Sequence, residues 1–253
     1  YYYIETEEEP AMKRHSFVGI ALVIMVLAGC TLIGAQTVRG SGHVETQERT
    51  ISPFTRIDFA GLGNLEIEPG DRQSLRVEAE KNLLPYLETD VLDGTLRIAI
   101  QRNINLQPSE AITFFVTAPT LEAISVSGLG RVRAPQLEAD RFTFDISGGG
   151  DIVIAGLQAT QLDVSMDGLG NLEFDDGQVE EQTIEISGGG SYRAGDLASS
   201  AADISISGLG NAVIRVADRL DVTVSGSGVV QYIGNPQVTE NISGLGRVEK
   251  VEQ

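Results

Sequence analysis

Apolar and polar residues alternate with period two through most of the second half of the chain. Ile124 and Val126 enclose Ser125, Phe144 and Ile146 enclose Asp145, and Val164 and Met166 enclose Ser165. The series continues with Ile184 and Ile186 around Glu185, Ile204 and Ile206 around Ser205, and Val222 and Val224 around Thr223. Such alternation predicts half-buried strands. Two residues after each pair a G-x-G unit begins, at Gly128, Gly148, Gly168, Gly188, Gly208 and Gly226, and a further unit begins at Gly244. Four successive steps are 20 residues and the last two are 18. Alternation resumes after the glycines, at Val132 and Ala134, Ile152 and Ile154, Leu172 and Phe174, and Ala212 and Ile214. An earlier copy, IDFAGLGNLEI from Ile57 to Ile67, stands 67 residues ahead of the array and carries Gly61 and Gly63.

A unit of about 20 residues cannot close its own core, but stacked units can share one. With no stretch of helical period, the pattern predicts an all-β fold. Its architecture is a single-stranded parallel β-helix, or solenoid, with rungs of about 20 residues stacked roughly 4.8 Å apart. Both glycines of each unit, through Gly130, Gly150, Gly170, Gly190, Gly210, Gly228 and Gly246, are then architectural. They let the strand bend or approach neighbouring backbone closely. The middle residue alternates as Leu129, Gly149, Leu169, Gly189, Leu209. Two arrangements fit: large against small between neighbouring rungs of one coil, or alternate units on opposite faces of a 40-residue coil. The first is preferred.

Ahead of the array, Ser74 to Glu80 reads as a strand, VLDGTLRIAI as a hairpin turning at Asp93-Gly94, and Ala111 to Pro119 as another strand. Residues 50–119 are expected to form a β-rich N-terminal cap protecting the exposed end rung, and residues 120–253 the glycine-rich repeats. Residues 30–49, with Gly40-Ser41-Gly42, read as a flexible tether. At the other end no cap follows Gly246. That end is either blunted by Glu249, Lys250 and Glu252 or is a contact surface.

The beginning of the chain changes the picture of location. Met12 precedes Lys13 and Arg14, an apolar run from Phe17 to Leu27, and then Ala28, Gly29 and Cys30. This is the anatomy of a secretory signal, too short to span a membrane. Leu27, Ala28, Gly29 and Cys30 look like a bacterial lipobox, with lipid attached to Cys30. Residues 1–11 are expected to be an upstream extension, with translation starting at Met12, and residues 12–29 the signal peptide. Cys30 is the only cysteine, so no internal disulfide can hold the fold. The formal charge of −18 favours solubility and repels nucleic acid and anionic membranes.

FTRIDFAGLGNLEI, NLLPYLETDVLDGTLRIAI, APTLEAISVSGLGRV and the later ISGGG and ISGLGN units resemble the bacterial family known as putative auto-transporter adhesin, head GIN domain. The resemblance covers roughly Gly40 to Val251. It implies a secreted or lipid-anchored β-solenoid and carries no catalytic or binding residues across.

Chemical motifs are sparse. GGGDIVIAG lacks the nine-residue period of calcium-binding repeats, and GLGNLE lacks the third glycine and the helix of a dinucleotide site. The only histidine beyond the signal is His43, which leaves no Ser-His-Asp set or zinc site to assemble. Asp163, Asp203 and Asp221 share one column of the repeat, and Asp145 and Glu185 another; neither shows histidine, arginine or tyrosine partners in the pattern. Both are read as a solvated acidic face. Ser127, Ser147, Ser187, Ser207, Ser225 and Ser243 precede their glycines, with Asp167 in place of one serine. Their hydroxyls are expected to bond nearby backbone at the bend.

No cofactor, metal site or catalytic residue is expected. The reading is a non-enzymatic, lipid-anchored cell-envelope protein, an adhesin-like module binding a polysaccharide or protein ligand and touching membrane only through its anchor. Two alternatives stay open: a β-helix enzyme degrading glycans with the acidic columns, and an envelope scaffold or signalling component docking another protein on its uncapped end.

Overall fold

The computed structural model describes Tyr1 and residues 35–68 and 70–252. The upstream extension from residue 2, the signal segment and the lipobox Leu27–Cys30 lie outside the described residues. Thr37–Gln253 form one compact unit.

The array is a parallel β-solenoid. Its strands are β1 (Gln36–Arg39), β2 (Val44–Arg49), β3 (Arg56–Ala60), β4 (Leu62–Glu68), β5 (Ser74–Glu80), β6 (Leu87–Leu92), β7 (Thr95–Ile100), β8 (Ile104–Gln107), β9 (Thr113–Thr117) and β10 (Ala123–Val126). Longer bent strands follow: β11 (Leu129–Ile146), β12 (Asp151–Met166), β13 (Asn171–Phe174), β14 (Gly177–Ile186), β15 (Ser191–Ile206) and β16 (Asn211–Val224). The last are β17 (Val229–Ile233), β18 (Gln237–Ile242) and β19 (Arg247–Lys250).

Register settles the choice between coils. Ile124 pairs with Phe144, Phe144 with Val164, Val164 with Ile184 and Ile184 with Ile204, each 20 residues on in a parallel ladder. One 20-residue coil therefore makes one rung. Each rung contributes to three stacks: one before the glycines, one after them (Val132, Ile152, Leu172, Tyr192, Ala212), and a third through Leu137, Leu157, Gly177 and Leu197. The 18-residue coils take up their shortening in that third stack, where the register shifts between Ala194 and Ala198 and again between Ser199 and Ala201. The alternating apolar residues point inward and are buried. Rings of Phe144, Phe174 and Tyr192 run edge to face along the interior, with centroids 5.7 and 6.0 Å apart. A fully buried side chain of this size contributes about 1.5–3 kcal/mol, so each rung supplies its share only when its neighbours cover it.

The early copy belongs to the stack itself. Ile57 pairs with Ile124 and Gly63 with Gly130, so residues 57–67, placed in the cap by their position in the chain, form a rung beneath the array. The next rung outward comes from later in the chain: β7 lies parallel on β3, and β9 parallel on β4. Antiparallel strands then close that end, β6 on β7 through the Asp93-Gly94 turn, β5 on β9, and β2 on β5. Asp93 (φ 50°) and Gly94 (φ 73°) have the positive φ values such a two-residue turn needs.

Residues 36–49 are not a tether. All six residues of β2 pair with β5, β1 pairs with β8, and the Gly42 N–H donates to the Glu80 carboxylate at 2.5 Å. The Glu80 carboxylate also accepts from the Ser109 hydroxyl (2.6 Å) and the Ser109 N–H (2.9 Å), and the hydroxyl bond above all holds its pKa below the usual carboxylate value. At the opposite end β18 pairs with β16 and β19 with β17, and no other described strand is in register with either.

Candidate binding face

The two glycines of each unit sit at the corner between the first and second stacks. None of those from Gly128 to Gly246 has a positive φ, so backbone conformation does not require them. Close stacking does. A Cβ on Gly128, Gly148, Gly168, Gly188, Gly208, Gly226 or Gly244 would fall well inside 3.0 Å of the carbonyl oxygen of the equivalent glycine one rung earlier. That carbonyl is occupied: Gly148 O accepts from Leu169 N–H at 3.1 Å and Gly168 O from Gly189 N–H at 3.1 Å. The middle glycines differ, since a Cβ on Gly149 or Gly189 would meet only the Cδ2 of Leu129 or Leu169, at 3.2 and 3.1 Å. Large and small thus alternate between rungs, and they do so on the outside.

The serine column at the same corner is exposed. Its backbone N–H groups, not its hydroxyls, make the ladder; Ser147 N–H reaches Val126 O at 3.0 Å and Ser207 N–H reaches Ile186 O at 2.9 Å. The expected hydroxyl-to-backbone bonds do not form, because parallel pairing already satisfies the backbone there. Ser187 instead donates its hydroxyl to Asp167 on the rung below.

Beyond the corner lies the outer side of the first stack. One column reads Ser125, Asp145, Ser165, Glu185, Ser205, Thr223, Asn241, in register from rung to rung. The adjacent one reads Ala123, Thr143, Asp163, Thr183, Asp203, Asp221, Thr239. The first acidic column is free, with the exposed Asp145 and Glu185 on alternate rungs. The second has the arginine partners that the sequence pattern concealed. Arg141 Nε lies 2.7 Å from Asp163 Oδ2, and Arg219 reaches Asp221 at 2.6 Å and both Asp203 and Glu181 at 3.3 Å. Proximity to Asp203 is the largest influence raising the Arg219 pKa.

Asp203 and Asp221 occupy neighbouring rungs, a spacing of roughly 4.8 Å. That is near the ~5–5.5 Å of carboxylate pairs in retaining glycosidases. Arg219 bridges both, however, and occupies oxygens that an acid and a nucleophile would need free. Among the described residues no three His, Cys, Asp or Glu side chains gather as a metal site requires. The face therefore offers a rigid grid of hydroxyls and carboxylates repeating at the rung spacing.

A family model described as "Putative auto-transporter adhesin, head GIN domain" matches residues 53–236. The chain belongs to this family. Solved structures of other proteins share the solenoid. A putative adhesin from Bacteroides fragilis superposes with a TM-score of 0.81 at 24% identity, covering 85% of this chain and 100% of that one. Another from Parabacteroides merdae gives 0.70 at 24% identity, over 86% and 100%. A putative lipid binding protein from Parabacteroides distasonis gives 0.68 at 25% identity, over 86% and 100%. No curated protein matches the chain. Each relative is matched along its full length by an extent of this chain close to that of the compact unit, Thr37–Gln253. In each of those structures a chain of that extent makes up the whole solenoid.

Proposed function

We propose that this head GIN domain protein is an adhesin-like module, anchored to the cell envelope by lipid on Cys30, whose first sheet face binds an extended surface polymer without turning it over. The observation carrying the reading is the unbroken polar column Ser125, Asp145, Ser165, Glu185, Ser205, Thr223, exposed except at the half-buried Ser125 and Ser165, on a face fixed by parallel pairing. A solenoid presents such a side as an extended binding surface, and repeated identical spacing suits a ligand that itself repeats. Membership of an adhesin family supports it, and the Leu27–Cys30 motif supports the anchor.

Binding of residues 35–253 to immobilised glycans and cell-wall polymers tests the face. Saturable binding should fall at least tenfold in an Asp145→Lys/Glu185→Lys variant of unchanged melting temperature. Equal binding by that variant would move the ligand elsewhere. Labelling of the full chain by radioactive fatty acid in a bacterial host, lost in Cys30→Ala, tests the anchor; labelling that persists in Cys30→Ala would refute it.

A further inference from the structure

The corner column carries an apolar ladder that neither the fold nor the polymer-binding face uses. Counting rungs from Leu129, its residues are Leu129, Gly149, Leu169, Gly189, Leu209, Ser227 and Leu245. The leucines are exposed by 63%, 74%, 70% and 88% in chain order. Exposed leucines recur every second rung, roughly 9.6 Å apart, with glycine or serine between them. On a chain of formal charge −18, a straight apolar stripe of this length calls for a partner.

We propose that the ladder is a self-association surface on which a second copy of this chain packs antiparallel. A two-fold axis perpendicular to the stack, between the third and fourth rungs, sets Leu169 against Gly189 of the partner copy, Gly149 against Leu209, and Leu129 against Ser227. Every raised leucine in those six rungs then faces a recess. A parallel two-fold would set leucine on leucine and leave glycine facing glycine.

The flanking columns fit the same operator. On one side Arg131, Asp151, Asn171, Ser191, Asn211 and Val229 stack in register. The two-fold pairs Arg131 with Val229, Asp151 with Asn211 and Asn171 with Ser191, so no like charges meet. On the other side Asp167 faces Ser187, and the rest is serine on serine. The stripe is roughly 29 Å long and at most about 17 Å wide, from rung spacing and five residues whose chain bends at the corner. That buries at most about 1,000 Å² over both copies, the lower bound for a specific interface. The dimer is therefore weak, with a dissociation constant on the order of micromolar.

Sedimentation equilibrium of residues 35–253 from about 1 to several hundred micromolar tests it. The expected result is a monomer–dimer equilibrium that a Leu169→Asp/Leu209→Asp variant shifts at least tenfold toward monomer, at unchanged melting temperature. A monomer at every concentration, or a dimer indifferent to those substitutions, would overturn the proposal. Because residues 35–253 contain no cysteine, cross-linking reads the register directly. Arg131→Cys mixed with Val229→Cys should form a disulfide, whereas each alone has its thiols five rungs apart and should not. Cross-linking of the mixture no better than the single variants would refute the antiparallel arrangement. Uptake of a monomer by phosphatidylcholine vesicles, lost in Leu169→Asp/Leu209→Asp, would assign the ladder to a bilayer instead and equally overturn the proposal.

Discussion

Two glycines one unit apart, Gly168 and Gly149, should respond oppositely to the same added methyl group. In Gly168→Ala the new Cβ would stand well inside 3.0 Å of Gly148 O and 2.8 Å from both the carbonyl carbon and oxygen of Ser147. All three are backbone atoms pinned by the parallel ladder, so the rungs must part. Overpacking of this kind costs about 1–3 kcal/mol. Moving Gly148 O also weakens its bond from Leu169 N–H, worth about 1 kcal/mol net. Against this, alanine restricts the unfolded chain and returns about 0.4–1 kcal/mol. The balance is a loss of about 1–3.5 kcal/mol. In Gly149→Ala the Cβ would meet only the exposed tip of Leu129 at 3.2 Å, which can swing away. The same entropic gain then leaves that variant neutral or up to about 1 kcal/mol more stable. Urea unfolding followed by circular dichroism compares the two on one protein. Equal midpoints for Gly168→Ala and Gly149→Ala would refute the claim that close backbone stacking is what selects glycine.

Three further outcomes follow from the described side chains. Tyr192 is fully buried, and its hydroxyl donates to Gln182 Oε1 at 2.5 Å, while Gln182 Nε2 has no partner. Tyr192→Phe should lose about 1–3 kcal/mol by stranding that oxygen, and adding Gln182→Met should recover most of it in urea titrations. Because the folded-state pKa of Glu80 is depressed, its stabilisation is present above the unfolded value of about 4.3 and is lost as pH falls through the lower folded value. Glu80→Gln should therefore be less stable than the parent near pH 6, with a gap that narrows toward pH 2; a gap constant with pH would count against the assignment. Arg219→Met, which leaves Asp203 and Asp221 facing each other on adjacent rungs, should lower the melting temperature in dilute buffer and much less in 1 M salt. A salt-independent loss would mean that packing of the arginine stem dominates.

What could be read from the sequence was whatever repeats locally. The 20-residue step is the rung, and the apolar residues two and four before the first glycine of each unit from Gly128 to Gly226 are the buried ones, because period two and a fixed register leave each side chain one side to face. Features depending on distant pairing were hidden. β2, VETQER, lies at an edge with almost nothing buried, so it carries no alternation; its partner β5 begins 25 residues further on. The rung made by β7 and β9 lies outside β3 and β4 although it follows them in the chain, and no local signal marks that inversion. Arg141 and Arg219 stand two residues before their own rung's column position, and only stacking brings them onto Asp163 and Asp203 of the neighbouring rungs. The middle leucines were legible as alternating, and their outward direction follows the same parity, since Leu129 stands two residues from the exposed Ser127 on one side and two from the exposed Arg131 on the other.

A single array experiment weighs the account most directly. Residues 35–253 are applied to a panel of glycans, cell-wall polymers and lipid vesicles, with retention and released product read from the same wells. The account predicts saturable retention on a repeating polymer, no shortened product, and loss of retention in Asp145→Lys/Glu185→Lys. Release of shortened glycan, abolished by Asp203→Asn or Asp221→Asn, would contradict it and make the arginine-bridged carboxylates a catalytic pair.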